Sequence, residues 1–361
     1  MKTSLYPLLG VLLLTNCTTQ KESEPQIVQL SPDILDKAVT IPCDTVQLAH
    51  EFPIAECYYM YNDSIVIVQN HGQSDGYYLE FYNYRENRIV KQMLTQGKGP
   101  NEAIAITPNP LFFGSKMLSG DIGTQQLLIL DIDSLLTSQE YAIPKYPVMY
   151  AGGLSFGLFQ NKLIAENPNC FKSDELGIEL DNNRFIVGKQ GDGYNLEFPG
   201  GEYNAINVTN CGQILTNEEK GIVCYAGLSE SFVEFYDKEL NLTKKITGPC
   251  NKPITYSVIQ NNFIVFKGQI PYAYVTSCSS QNYIYLLYVN AYWEEMKDEP
   301  NQGNYYIFKM DWDGNVVKTY KTNYLLNNIH CLTSKETQQD VLYGTIESED
   351  GDVKIMRLVA E

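Results

Sequence analysis

The sequence predicts an all-β fold, specifically a six-bladed β-propeller, and three observations carry the prediction. Strand-like phrases recur at the spacing of propeller blades. Tyrosine and phenylalanine, 27 and 14 of 361 residues, suit half-buried pleated surfaces. No segment beyond Cys17 keeps a helical period over a long run, a short turn over residues 32–38 aside.

The chain opens MKTSLYPLLGVLLLTNC, with Lys2 as a one-residue basic region and an apolar run over residues 8–14. This pattern is that of an export signal. The run is too short to cross a bilayer, which takes about 20 apolar residues. Leu14-Thr15-Asn16-Cys17 resembles a bacterial lipobox, in which the cysteine receives lipid, although Asn16 stands where a small residue is usual. The expected division is a signal peptide over 1–16, a lipidated tether over 17–39 and one six-bladed propeller over 40–361. The tether segment TTQKESEPQ is polar and suits a flexible linker. Acyl chains on Cys17 would attach the protein to the outer membrane of the envelope.

Residues 41–68 supply early strands able to close a ring with the last hairpin. Four phrases follow, LEFYN (79–83), LLILD (127–131), VEFYD (233–237) and IFKMD (307–311). Each alternates apolar residues, ends in Asp or Asn, and leads into a polar turn and a second strand-like run. Their spacing corresponds to one, two and about one and a half units of roughly 50 residues, the size of large blades. RFIV (184–187) marks a further blade, and YGTIESEDGDVKIMRLVAE forms the C-terminal hairpin. Asp313-Gly314 is a hairpin signal, because a type I′ turn needs positive φ at both central positions. Repeating four-stranded units favour a propeller over a sandwich.

The stretch QGKGPNE, residues 96–102, looks like a phosphate-binding loop but lacks the Gly-Lys-Ser/Thr ending and the following helix. It reads as a blade connector, with Gly97 and Gly99 permitting positive φ, Pro100 fixing the exit and Glu102 accepting backbone N–H groups of its own loop. The lipobox, the hairpin spacing and above all GKGPNE resemble the TolB-like six-bladed β-propeller lipoproteins of Gram-negative bacteria. That resemblance implies fold and export rather than a defined activity.

The composition narrows function. A formal charge of −17 is a poor match to nucleic acid, whose binding relies on basic groups displacing counterions. Eight cysteines beyond Cys17 include no Cys-x-x-Cys pair, and the three histidines, His50, His71 and His330, stand apart, so neither a metal site nor a cofactor is expected. Gly153-Leu154-Ser155-Phe156-Gly157 matches the hydrolase Gly-x-Ser-x-Gly pattern but reads as strand and bend rather than strand, elbow and helix, so no catalytic residue is assigned. Tyr292, Trp293, Glu294 and Glu295 begin an insertion, NAYWEEMKDEPNQ, and are the ligand-contact candidates, since loops on a rigid scaffold carry function. The expected role is a binding or scaffold protein for an envelope protein or glycan. The rival is a propeller lyase or hydrolase with carboxylates converging on the central channel.

Overall fold

The computed structural model describes residues 24–71, 76–107, 110–147, 156–160, 162–165, 212–252, 256–259, 263–266, 269–297, 303–334, 337–348 and 351–360. Cys17 and its lipobox, RFIV (184–187) and residues 153–155 lie outside them. Among the described residues no helix is long and apolar enough to cross a membrane.

Among the described residues, five sheets of four or five strands form five blades, where six were expected. Blade 1 runs from Ala55–Met60 at the centre through Ile65–Asn70 and Tyr77–Asn83 to Arg88–Gln96. Blade 2 comprises Leu111–Phe113, Lys116–Asp121, Gln126–Asp131 and Lys145–Pro147. Blade 3 comprises Gly212–Asn217, Ile222–Gly227, Phe232–Tyr236 and Leu242–Thr247. Blade 4 comprises Pro271–Ser279, Tyr283–Tyr292, Tyr305–Asp311 and Val316–Thr322. Blade 5 comprises Asn328–Thr333, Asp340–Glu347 and Val353–Val359, and takes its outermost strand, Cys43–Val46, from the start of the chain. Between blades 2 and 3 lies a two-stranded sheet, Phe156–Phe159 with Lys162–Ala165, whose first strand neighbours the innermost strands of both. A second two-stranded sheet pairs Tyr256–Ile259 with Phe263–Phe266. The count of six leaned on RFIV, which falls outside the described residues.

The core is a series of layers between neighbouring blades, and this explains the sequence pattern. Ile65–Asn70 is buried along its whole length. Alternate residues face opposite sides of a strand, so Ile67 packs with Phe81, Met117 and Leu130 between blades 1 and 2, while Val66 and Val68 pack with Tyr82 and Ile355 between blades 5 and 1. A strand buried on both faces reads as the continuous apolar run IVIV.

The residue closing each repeated phrase has a common task. Asn83 Oδ1 accepts the N–H groups of Arg85 and Glu86. Asp237 Oδ1 accepts those of Glu239 and Asn241, and Asp311 Oδ1 those of Asp313 and Asn315. In LLILD the same position instead caps a helix: Asp131 accepts the N–H of Ser134 and starts Ile132–Thr137 before the fourth strand. The turn after Asp311 also differs from the expected type I′ form. Only Gly314 has positive φ, +74°, and its N–H reaches the carbonyl of Asp311. The Asp311 carboxylate organises this tip, so a second left-handed residue is not needed.

Residues 26–40 depart from the expected free tether. Gln26–Gln29 pairs in parallel with the outer strand of blade 3, and Val39–Thr40 in parallel with that of blade 4. Both blade edges offered unpaired backbone groups, and Val28 and Leu30 of this segment pack against the apolar layer between blades 3 and 4.

Candidate functional site

The predicted contact residues sit where blade 4 meets the chain leaving blade 3. Tyr292 ends its strand and is followed by the short helix Trp293–Lys297. Glu295 folds back, its Oε2 accepting the N–H of Tyr292 at 2.8 Å and the Nζ of Lys252 at 2.6 Å. The hydrogen bond from Lys252 holds the Glu295 carboxyl below the usual carboxylate range. Lys252 Nζ also lies 4.2 Å from the centre of the Tyr292 ring, within reach of a cation–π contact. Glu294 is exposed and Met296 is buried beneath the helix. The structure thus joins Tyr292 to Glu295 through Lys252, which the sequence reading did not single out because it lies 40 residues earlier in the chain.

Next to this ledge is a cavity of about 150 Å³ lined by Glu230, Ser231, Lys245, Gly248, Asn251 and Gln29, the last contributed by the N-terminal edge strand. Asn251 precedes Lys252, so the chain leaving blade 3 links the cavity wall to the ledge. The walls are fixed from within. Ser231 Oγ donates to the carbonyl of Gly248 at 2.6 Å. Tyr288 Oη both accepts from the N–H of Cys250 and donates to its carbonyl. Lys245 bridges to Glu234 at 2.8 Å and lies 4.9 Å from the centre of the Phe232 ring. Burial pushes the Glu230 carboxyl up, and Lys245 opposes that push only in part. That carboxyl stands beside an ammonium, an amide and a hydroxyl.

The channel gives a different picture. Among the described innermost strands the only carboxylate is Glu56, whose Oε2 lies 3.8 Å from Nδ1 of His71. The ring of Phe112, from blade 2, meets His330 of blade 5 at 5.1 Å and Tyr59 of blade 1 at 5.3 Å between centroids. Burial lowers the His330 imidazole to about 4, against a hydrogen bond to the backbone of Met60 that favours its charged form. No group of three or more His, Cys, Asp or Glu among the described residues is placed to hold a metal ion. Among the described residues, the converging carboxylates that the enzyme reading requires are not assembled.

The glycine-rich stretch folds as a closed turn between blades 1 and 2. Glu102 Oε2 accepts the Gly99 N–H at 2.7 Å, and Glu102 N–H reaches the Gly99 carbonyl. Lys145 Nζ, on the outer strand of blade 2, donates to the carbonyls of Gly99 and Glu102. Lys98 and Pro100 point to solvent. Positive φ, the expected reason for both glycines, is found at Gly97, +156°, and not at Gly99. Space is lacking at Gly97 as well: a Cβ there would stand 2.0 Å from Glu102 Oε2. Asp121 ties the same connector to blade 2 by accepting the N–H groups of Ile104, Ala105, Gly123 and Thr124. Burial raises its carboxyl, and the hydrogen bonds from Thr124, Ala105 and Ile104 outweigh that and hold it low.

No protein-family model matches the chain. No characterised protein matches it by sequence. Similar solved structures include a protein of Bacteroides fragilis inferred to be exported, at 9% identity and a TM-score of 0.48, covering 93% of this chain and 99% of that one. A member of the DUF4221 family from Bacteroides vulgatus is 10% identical with a TM-score of 0.44, over 90% of this chain and 98% of that one. A streptogramin B lyase is 11% identical with a TM-score of 0.42, over 89% and 88%. The blades themselves make this chain an all-β propeller.

Proposed function

We propose that this protein is an exported, lipid-anchored propeller that binds an envelope ligand at the junction of blades 3 and 4, with a glycan favoured over a protein. The observation that carries the reading is that the chain leaving blade 3 links the polar cavity, at Asn251, to the Tyr292–Lys252–Glu295 ledge through the next residue, Lys252. A cavity of that volume takes about one six-membered ring. Its donors and acceptors, the Glu230 carboxyl, Lys245, Asn251 and Ser231, suit ring hydroxyls, and the adjoining Tyr292 supplies an apolar face for a second unit. The single carboxylate of the described innermost strands, Glu56, supports binding over the lyase or hydrolase alternative.

Screening the soluble domain against immobilised envelope glycans, followed by calorimetric titration of the best binder, tests the reading. Glu230→Gln and Lys252→Ala should each weaken binding about tenfold or more, the loss of a charge-assisted hydrogen bond, with melting temperature little changed. Glycan binding indifferent to both substitutions would place the ligand elsewhere. Retention of only a protein partner would replace the favoured ligand class. Anchoring is tested separately: Cys17→Ser should release the protein from membranes and abolish acyl labelling.

A further inference from the structure

Blades 4 and 5 meet along their innermost strands, and two cysteines face each other there. Oγ1 of Thr276 on blade 4 accepts the N–H of Ile329 on blade 5 at 3.2 Å. Two residues further along each strand stand Cys278 and Cys331. Another two residues on, Ser280 Oγ and Thr333 Oγ1 both donate to the carboxylate of Asp340, at 2.6 and 2.7 Å. The pair is therefore bracketed on both sides by hydrogen bonds that fix the separation and register of the strands. Side-chain alternation agrees, since Cys278 and Ile329 belong to the apolar layer between blades 4 and 5, and Cys331 packs against it. Cys331 stands close enough to Cys278 to help burial push the Cys278 thiol up. Both are free in the structure.

We propose that Cys278 and Cys331 are a covalent modification site, joined by a disulfide that welds blade 4 to the blade that closes the ring. The oxidant is a disulfide, small or protein-borne, of the kind an exporting compartment supplies. Cys331 is the more exposed of the two and attacks first: its thiolate displaces one thiol from the oxidant and forms a mixed disulfide. Cys278, held as the thiol by burial, then gives up its proton and attacks the Cys331 sulfur, expelling the second thiol. Two protein thiols are oxidised by two electrons and one oxidant disulfide is reduced to two thiols. Because the weld lies beside the closing blade, its main effect is to oppose opening of the ring, by restricting the unfolded chain.

The test uses the full chain, incubated with hydroxyethyl disulfide, quenched by alkylation under denaturing conditions and digested without reductant. The expected product is one linked pair of peptides, carrying Cys278 and Cys331, two hydrogens lighter than the separate peptides. The oxidised protein should lose about 5 °C or more of melting temperature on addition of reductant, and Cys331→Ser should show no such response. Recovery of both peptides separately alkylated, or linked to other cysteines instead, overturns the proposal. Should Cys331→Ser fail to fold, the peptide map of the parent decides alone.

Discussion

Val46 pairs with Ile355 in an antiparallel ladder that continues to Cys43 and Leu358, so the start of the propeller supplies the outer strand of its last blade. Three strands of blade 5 come from the C-terminal end and one from the N-terminal end, and neither end completes the sheet alone. A fragment ending at residue 340 keeps Cys43–Val46 but loses Val353–Val359, its only ladder partner. It also strips Leu342, Met356 and Leu358 from the layer against blade 4. Such a fragment is expected to aggregate or unfold, since it exposes both an edge and an apolar face. A soluble fragment with a cooperative melt would contradict this.

The Asp residues at the hairpin tips give a second prediction. Asp237 and Asp311 each accept two turn N–H groups and a side-chain amide from Asn241 or Asn315. Removing the acceptor leaves these donors to water at an exposed tip, so Asp237→Ala and Asp311→Ala should each cost about 1 kcal/mol. Asp131→Ala, which removes a helix N-cap, should cost a similar amount. Urea midpoints of the three variants measure this, and losses below a few tenths of a kcal/mol would show that the tips hold themselves.

These positions also show what was legible in the sequence. The alternation in LEFYN, VEFYD and IFKMD announced strands, and the closing Asp or Asn announced a turn, because both signals are local. The blade count was not local, since it leaned on RFIV, which lies outside the described residues; LLILD does supply a strand of blade 2 but leads into a helix, because Asp suits a helix cap and a turn equally. Edge pairing by residues 26–40 was missed because its strands, Gln26–Gln29 and Val39–Thr40, are too short for an alternating run to stand out. At the candidate site, Tyr292 and Glu295 were named from the insertion, whereas Lys252, 40 residues earlier, meets them only where the chain leaving blade 3 packs on blade 4.

His330 predicts an acid-sensitive ring. Its imidazole falls to about 4 in the fold, mainly through burial, against roughly 6.5 in an unfolded chain. The folded state therefore binds fewer protons than the unfolded state between these values. Stability from this group is complete above pH 6.5, is lost as pH falls, and has gone below about 4. His330→Gln should flatten the decline of the urea midpoint between pH 7 and pH 4.5 relative to the parent. Parallel pH profiles would mean that the imidazole is not kept neutral by its place among Phe112, Tyr59 and Met60.

The glycine-rich connector separates a phosphate loop from a structural turn by which residue matters. Lys98 is exposed, while the cation that meets the loop, Lys145, donates to its carbonyls from behind. Gly97 lies against the Glu102 carboxylate, and any Cβ there must displace the group that holds the turn; at Gly99 the nearest approach, 3.0 Å, is less severe. Gly97→Val should therefore lower the melting temperature most, by an amount corresponding to about 1–3 kcal/mol of overpacking and a lost charged hydrogen bond. Gly99→Val should lower it less, and Lys98→Ala should hardly move it. Melts of the three variants with and without inorganic phosphate decide the matter, because stabilisation of the parent by phosphate that disappears in Lys98→Ala would make the loop a binding site after all.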